Sequence, residues 1–422
     1  MNLIVISTLG GLHRAQNLIK QENLQNNVLA ILYTPANLEM PKTLTNNVAD
    51  GFFDHIEFVC LQKSPTKITL EKSKKDFDAY KHIFDKYNFT NVFLNSFDYH
   101  YNYLAVLAQK KGAKLILFEE GTGTYNYLTG LDRDKLTQIG FAGRMKIAIT
   151  GLGGLKARFL RLIRHNFIIK TIFLVLQAIL FIPQIIFYLL VTIKRVFANI
   201  LSNEQKIRIR RFFYPNHLKP VFGKISEFDE LYLAFPEMGK KGYKAKKYNE
   251  LKLAYYINDT ILAKLEEEWE FEGFTNNDII FVDQIFSVPV ELHLEAIFSY
   301  INKKYPNKHI YMKLHPKMKE ASMEAYFEYL ETKQPNVTIL DTGTTSIPME
   351  YILQLKNAKH LIGLSSTTLV NAQLLMDDIT VLSFMDYYIN YISRYGFIDK
   401  AKIDNLKYHK AHLEIYNTVK IV

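Results

Sequence analysis

Short apolar runs alternate along the chain with longer mixed segments, and this alternation predicts strands and helices in turn. The first run, Asn2–Ser7, is followed by Leu9–His13, which predicts a tight loop leading into a helix. Strands alternating with helices are typical of a parallel sheet covered on both faces. The further strands predicted in this part of the chain are Val28–Tyr33, His55–Cys60, Asn91–Asn95 and Lys114–Phe118.

A second set of apolar runs that alternate with mixed segments begins after residue 225. Its predicted strands are Glu230–Ala234, Asp278–Val282, His309–Leu314, Thr338–Leu340, His360–Gly363 and Ile379–Leu382. We therefore predict an α/β fold with two Rossmann-like domains that face a central cleft, residues 1–150 and residues 226–422. This architecture is called GT-B in glycosyltransferases, although a fold by itself does not establish a function.

The stretch between the two sets contains the most apolar part of the chain. Thr171–Ile193 runs for 23 residues without a charge, and as a helix it would be roughly 35 Å long, enough to cross a bilayer. Basic residues flank it on both sides, so a single span would leave one basic flank on the wrong side of the membrane. We predict that residues 151–225 form a helical insert with a monotopic or re-entrant anchor. A buried helix pair between the domains, or a dimer interface, is the alternative.

The charge and the cysteine content indicate which binding partners and which cellular compartment to expect. The 52 Lys and Arg residues exceed the 42 Asp and Glu residues, which gives a net charge of +10 and favours anionic partners such as an acidic glycan or an anionic membrane surface. No nucleic-acid recognition motif is present, so nucleic acid is not expected. Cys60 is the single cysteine, and glycines and charges interrupt the opening apolar run before it reaches the length of a signal peptide. We expect a cytoplasmic protein, peripheral or monotopic on the inner membrane.

Two adjacent carboxylates follow one predicted strand. Glu119, Glu120 and Gly121 come directly after Lys114–Phe118, and the carboxyl ends of parallel strands face the ligand cleft. A carboxylate whose pKa is raised by burial or by a neighbouring carboxylate can act as a general base. Gly121 lets the backbone turn sharply. The alternative is a charged turn that caps the next helix.

A histidine follows another predicted strand. Pro316 favours an extended His315 and a stiff turn, and Lys313 adds positive charge. A histidine in this setting can bind a phosphate or protonate a leaving group. The alternative is a surface turn.

Hydroxyl residues form a third candidate site at the start of a predicted helix. Ser365, Ser366 and Thr367 follow the strand His360–Gly363, where hydroxyls and backbone N–H groups can bind an anion or simply cap the helix. Glu350 lies at another helix start, where it can bind sugar hydroxyls or simply favour the helix dipole.

Together these motifs resemble those of bacterial GT-B sialyltransferases of the polysialyltransferase type, glycosyltransferase family 38, with the lipooligosaccharide sialyltransferases of family 52 close behind. The EEG motif at Glu119–Gly121, the HP motif at His315 and the hydroxyl cluster occur in the order of that family. The long apolar insert departs from the family pattern and is consistent with a lipid-linked acceptor.

The resemblance implies a role for each motif. Glu119 or Glu120 would be the general base, and His315 would contact the phosphate of a CMP-sugar and act as general acid. Further donor-binding residues would be Pro316, Lys313, Ser365, Ser366 and Thr367 near the phosphate, Glu350 at the ribose, and Asp283 and Gln284 beside the cytidine, with Gly121 in the turn. Gly10 and Gly11 would lie on the acceptor side.

The predicted function is therefore an inverting transfer of sialic acid, or a related nonulosonic acid, from a CMP-sugar to a glycan acceptor of capsule or lipooligosaccharide. No cofactor and no metal is expected, because CMP is a stable leaving group. The DxD strings lack the setting of a metal site, since Asp76–Asp78 lies in a Lys-rich stretch predicted to be helical and Asp132–Asp134 follows the EEG loop. The alternative is a membrane-associated protein that binds or assembles polyanionic glycan without catalysis.

Overall fold

In the computed structural model the chain forms two α/β domains, each built on a parallel sheet. The structure describes residues 1–61, 69–96, 100–129, 203–223, 225, 227–256, 259, 263, 273–315, 318, 320–340, 348–396 and 398–422.

The first sheet has seven strands within these ranges. They are β1 (Asn2–Ile6), β2 (Asn27–Tyr33), β3 (His55–Cys60), β4 (Asn91–Leu94), β5 (Lys114–Phe118), β6 (Phe228–Leu233) and β7 (Ala245–Glu250). Their order is β3-β2-β1-β4-β5-β6-β7, and every pair is parallel.

The second sheet has six strands in the described part of the chain. They are β8 (Ile279–Val282), β9 (Ile310–Lys313), β10 (Val337–Leu340), β11 (His360–Gly363), β12 (Thr380–Ser383) and β13 (Lys420–Ile421). Their order is β10-β9-β8-β11-β12-β13, again with parallel pairs throughout.

Helices cover both faces of each sheet. They are α1 (Leu9–Glu22), α2 (Met40–Asn46), α3 (Leu70–Lys86), α4 (Tyr101–Lys111), α5 (Asn203–Phe213), α6 (Pro236–Lys240), α7 (Val290–Lys304), α8 (Glu320–Lys333), α9 (Met349–Leu355), α10 (Thr367–Leu375), α11 (Met385–Ile392) and α12 (Lys400–Glu414), with 3-10 helices at Thr122–Thr129 and Asn216–Phe222. In β1, Leu3 packs in the core that contains α3 and α4, whereas Ile4 packs with α1. Both faces are therefore buried, which explains the continuous apolar runs of the central strands.

The domain boundary differs from the sequence-based prediction. β6 and β7 lie after residue 226, yet β6 pairs with β5 and β7 pairs with β6. Residues 228–250 thus extend the first sheet and do not open the second domain. The apolar pattern of a segment predicts that a strand forms, but it carries no information on which sheet edge the strand joins.

The predicted insert falls mainly outside the described residues, including all of residues 171–193. From its C-terminal part the structure describes α5 and the 3-10 helix Asn216–Phe222, and the latter packs on the first domain through a hydrogen bond of 3.1 Å from the Tyr103 hydroxyl to the Leu218 carbonyl. Among the described helices, none is both long and apolar enough to span a membrane.

The two domains meet along one cleft. His412 in α12 and Tyr416 in the turn after it both donate through their side chains to the Thr122 carbonyl of the first domain, each at 2.8 Å. The ring of Tyr416 also packs edge-on against Tyr125, with centroids 5.9 Å apart. The predicted architecture of two facing α/β domains is confirmed.

An asparagine ladder fixes the strand register at the amino edge of the first sheet. Asn91, Asn2 and Asn27 are direct partners on β4, β1 and β2. The Asn91 amide donates to Asn2 Oδ1 at 2.9 Å, and the Asn2 amide donates to Asn27 Oδ1 at 2.9 Å. Asn2 and Asn27 are buried, so each side chain needs these partners. This edge lies opposite the carboxyl ends of the strands.

We predict that Asn2→Ala lowers the free energy of unfolding by about 2 kcal/mol or more, because it leaves a buried acceptor on Asn27 and a donor on Asn91 without this partner. Chemical denaturation measures the change. The matched control is Asn46→Ala at an exposed helical position, which should change stability by only a few tenths of a kcal/mol. Equal midpoints for Asn2→Ala and the control would contradict a role for the ladder.

Candidate active site

The EEG turn leaves β5 at the cleft, and its first carboxylate is enclosed. Glu119 is 2% exposed. Its Oε2 accepts from the Tyr125 hydroxyl at 2.5 Å and from the Ala234 backbone N–H at 2.8 Å, and its Oε1 lies 3.5 Å from Arg14 Nη2. Both carboxylate oxygens are therefore held by partners from three segments of the first domain.

The second carboxylate of the turn lies nearer the surface. Glu120 is half-buried, and its backbone N–H donates to Thr124 Oγ1 at 3.2 Å, which closes the turn. Gly121 has a φ of +152°, a conformation that strains residues with a side chain. The glycine of the motif is thus required by the turn that separates the two carboxylates from the following 3-10 helix.

Arg14 is a buried cation beside this turn. Burial by itself lowers the pKa of the guanidinium, but the charge of Glu119, followed by the nearby Tyr255 and Glu350, raises it above its ordinary value. Burial and the Glu119 carboxylate raise the pKa of Tyr125 well above its ordinary value. Tyr125 therefore stays protonated and donates to Glu119.

The neighbouring histidine on α1 is neutral. His13 is buried, and burial lowers its pKa to about 4. Its ring packs edge-on against Tyr255 with centroids 5.4 Å apart. Arg14 thus supplies the positive charge of this part of α1 at neutral pH.

The hydroxyl cluster begins α10 as predicted, and its members have different partners. Ser365 donates through both its backbone N–H and its hydroxyl to Gln284 Oε1, at 3.0 and 2.6 Å. Ser366 caps α10, since its hydroxyl accepts from the Thr368 N–H at 3.3 Å. Thr367 Oγ1 lies 2.8 Å from Thr122 Oγ1 of the first domain. The cluster and the EEG turn therefore face the same cleft.

Glu350 lies at the start of α9 and is buried. Its Oε1 accepts from the Asn371 amide at 2.8 Å, and Asn371 Oδ1 lies 3.5 Å from Arg14 Nη2. The carboxylate predicted on the donor side is thus connected through Asn371 and Arg14 to Glu119 on the opposite side of the cleft.

The HP motif follows β9, next to β8 in the sheet. Lys313 is the last residue of β9 and is buried, and His315 is half-buried with its carbonyl accepting from the Met318 N–H at 2.9 Å. Pro316 lies outside the described residues. Since β9, β8 and β11 are neighbours, the residues after them share one sheet edge: His315, Gln284 and Ser365.

Asp283 and Gln284 differ in their surroundings. Asp283 is buried, with Oδ1 at 3.0 Å from His293 Nε2 and Oδ2 accepting from the Tyr326 hydroxyl at 2.9 Å. Its carboxylate ties β8 to α7 and α8. The two residues after Gln284, Ile285 and Phe286, line a cavity of about 260 Å³ together with Val288, His293, Met318 and Tyr326.

The two glycines predicted on the acceptor side lie in the first turn of α1. This helix begins at Leu9 and is capped by Thr8, so the predicted tight loop is only two residues long. A side chain at Gly11 would come within 2.3 Å of Asn95 Nδ2, whereas Gly10 faces Arg14 Nη1 and the Glu120 carbonyl across nearly 4 Å. Gly11 thus permits the close approach of α1 to the end of β4.

Sequence reasoning missed Arg14 and Asn371, which connect the predicted carboxylates. Both lie inside amphipathic or apolar helices and carry no motif. Neither DxD string changes the picture, since Asp76–Asp78 lies within α3, as predicted, and Asp132–Asp134 is outside the described residues.

Two parallel α/β domains whose strand ends face one polar cleft are the arrangement of GT-B glycosyltransferases. The comparison with family models identifies the group within this class: residues 2–385 match the model of the alpha-2,8-polysialyltransferases. Because this match covers nearly the whole chain, the protein belongs to the alpha-2,8-polysialyltransferase family and is a sialyltransferase-like glycosyltransferase.

Solved structures with a similar architecture have low sequence identity to the chain. The GT-B domain of a sialyltransferase from Photobacterium damselae is 11% identical with a TM-score of 0.40, covering 100% of both chains. A UGT transferase from Siraitia grosvenorii in complex with UDP is 11% identical with a TM-score of 0.47, covering 99% of this chain and 94% of its own. The calicheamicin glycosyltransferase CalG4 is 8% identical with a TM-score of 0.41, covering 98% of this chain and 94% of its own. The comparison with curated protein sequences gives no match. The family match therefore carries the assignment.

Proposed function

We propose that the protein transfers sialic acid, or a related nonulosonic acid, from a CMP-sugar to an anionic glycan acceptor of capsule or lipooligosaccharide, with inversion and without a metal ion. The observation that supports this most is the contact of 2.8 Å between Thr122, which follows the EEG turn, and Thr367 in the hydroxyl cluster. It supports the proposal because it joins the segment after the proposed base to the helix start that carries the proposed anion site.

Glu120 is the general base in this proposal. The oxygens of Glu119 are held by Tyr125, Ala234 and Arg14, so a substrate hydroxyl would have to displace these partners to reach them. Glu120 is less buried and is the next residue of the turn. It would take the proton of the acceptor hydroxyl as the oxygen attacks the anomeric carbon from the face opposite CMP.

The donor side then accepts the leaving group. As the bond between the anomeric carbon and the CMP oxygen breaks, its electron pair moves to the phosphate, which His315 binds and protonates. Lys313 supplies positive charge, and the amino terminus of α10 with Ser366 and Thr367 supplies hydrogen-bond donors to the phosphate. Ser365 keeps Gln284 in place, because both of its donors are directed to that side chain.

The nucleoside would lie along the second domain. The cavity lined by Ile285 and Phe286 has mainly apolar walls with a few polar groups, as nucleobase sites commonly do. In this arrangement Asp283 holds His293 and Tyr326 in the wall of the pocket. Its carboxylate does not contact the base. Glu350 would hold the ribose.

We predict that CMP binds without a divalent ion, with micromolar affinity near −8 kcal/mol, and that His315→Ala weakens binding at least tenfold because a hydrogen bond to a charged phosphate is lost. Calorimetry in the presence of a chelator measures both. The matched control is His309→Ala. His309 directly precedes the first residue of β9, at the opposite end of this strand from His315. Absence of CMP binding by the parent protein would contradict the proposed donor.

We predict that Glu120→Gln lowers kcat by about 10²–10⁴-fold while the affinity for CMP is unchanged, because a general base acts on the acceptor and not on the nucleotide. Glu119→Gln should instead lower the melting temperature, since it weakens a buried network. Transfer assays and thermal unfolding of the two variants separate these roles. A larger loss of kcat in a stable Glu119→Gln protein would reverse the assignment.

We also propose that the protein associates peripherally with an anionic inner-membrane surface. Helix α5 exposes Ile209, Phe212 and Phe213, the last two at 80% and 72%. Their spacing places them on one side of the helix, and the exposed Arg208 and Arg211 flank them. Aromatic side chains with adjacent arginines are typical of helices that lie in an anionic interface.

We predict that the double variant Phe212→Ser with Phe213→Ser lowers partitioning onto phosphatidylserine-containing vesicles at least tenfold, since two aromatic side chains no longer enter the interface. Vesicle flotation measures it. Phe58→Ser, at an exposed phenylalanine on the edge strand β3, is the control and should bind as the parent does. Equal binding by all three proteins would exclude α5 as the contact.

A further inference from the structure

The charged side chain of Arg14 contacts both sides of the cleft. It lies on α1 of the first domain and is 4% exposed. Its Nη2 is 3.5 Å from Glu119 Oε1 in the same domain and 3.5 Å from Asn371 Oδ1 on α10 of the second domain. One guanidinium nitrogen is thus shared between the two domains.

The groups on either side of Arg14 belong to the proposed reaction. Glu119 precedes Glu120, the proposed base, and Asn371 donates to Glu350, the proposed ribose ligand, at 2.8 Å. Tyr255 also interacts with Asn371. A continuous path of Glu119, Arg14, Asn371 and Glu350 therefore runs from the acceptor side of the cleft to the donor side.

The contacts of Arg14 are longer than those of a structural ion pair. Charge-assisted N–H···O bonds are ordinarily about 2.7–2.9 Å, whereas both contacts of Nη2 are 3.5 Å. Within the described residues Arg14 Nε has no hydrogen-bond partner. The geometry of these contacts is therefore not that of a close structural ion pair, although removal of Arg14 alone would leave the buried Glu119 without its counter-ion.

We propose that Arg14 is a positioning residue that couples the two halves of the site: it holds the EEG turn against the second domain when Asn371 and Glu350 are in place for the donor. This inference rests on the proposed function. Arg14 acts through Glu119 and Asn371 and does not itself touch the reacting atoms.

The positive charge of Arg14 has a second effect, on the carboxylates of the turn. The ionisable groups that face Arg14 are His13 on its own helix, Glu119 and Tyr125 after β5, Tyr255 in the segment after β7, and Glu350 on α9. His13, Tyr125 and Tyr255 are neutral at the working pH, so Arg14 is the cation of the group. Its removal leaves two carboxylates without a counter-ion, which raises the pKa of carboxylates nearby.

The test compares Arg14→Met, Arg14→Lys and, as a matched control, Arg394→Met at an exposed arginine. Arg14→Met should lower kcat about 100-fold, because a displaced turn loses the productive geometry, and should move the acidic limb of kcat/KM up by about one pH unit. Arg14→Lys keeps the charge but is too short for both contacts, so kcat should fall without a shift of the acidic limb. The affinity for CMP should change by about threefold or less in both, and Arg394→Met should match the parent.

Asn371→Leu provides an independent variant, and it keeps the test decisive if Arg14→Met does not fold. It removes the contact of Arg14 with the second domain without removing a charge. We expect a lower kcat and a higher KM for the donor, because Glu350 loses its donor, with the acidic limb unchanged.

The outcomes separate this inference from the function on which it rests. An active parent with an Arg14→Met protein that retains both kcat and the parental acidic limb overturns the role of Arg14 alone. An equal shift of the acidic limb in Arg14→Met and Arg14→Lys also overturns it. A folded parent that neither binds CMP nor transfers a sugar overturns the proposed function and this inference together.

Discussion

Every strand pair in both sheets is parallel, and the site depends on this constraint. Parallel strands end at the same edge, so loops that are far apart in the sequence become neighbours without any specific attraction between them. The loops after β8, β9 and β11 share one edge of the second sheet, and the turn after β5 lies at the corresponding edge of the first. The side-chain contacts across the cleft then align the loops of one domain with those of the other.

The cleft contains buried charge, which has a physical cost that the surrounding residues offset. A carboxylate as enclosed as Glu119 would be strongly unfavourable without partners. A tyrosine hydroxyl, a backbone N–H and a guanidinium supply them, and each comes from a different segment of the chain. The guanidinium also reaches Asn371, so the cation that balances Glu119 has a partner in the second domain. Electrostatics and domain arrangement are therefore linked at this point.

Much of the fold could be predicted from the sequence, because buried parallel strands are continuous apolar runs. His55–Cys60, Lys114–Phe118 and His360–Gly363 have the predicted bounds. The strand β7 was missed because its sequence, Ala245–Glu250, is largely polar, as an edge strand permits. The motif loops were found because they follow apolar runs. Arg14 and Asn371 were not found, because 357 residues separate them and only the packing of the two domains brings them together.

The two glutamates of the motif illustrate what a pattern of residue types leaves open. Adjacent residues at the end of a strand direct their side chains to opposite sides, so one of the pair can enter the protein while the other faces the cleft. Which one does so depends on partners elsewhere: Tyr125, Ala234 and Arg14 together form a site that fits the carboxylate of Glu119. The same reasoning applies to Asp283 and Gln284, where His293 and Tyr326 bind the aspartate and leave the amide to Ser365. In both pairs the first residue after the strand is buried among partners of its own domain, and the second is less buried.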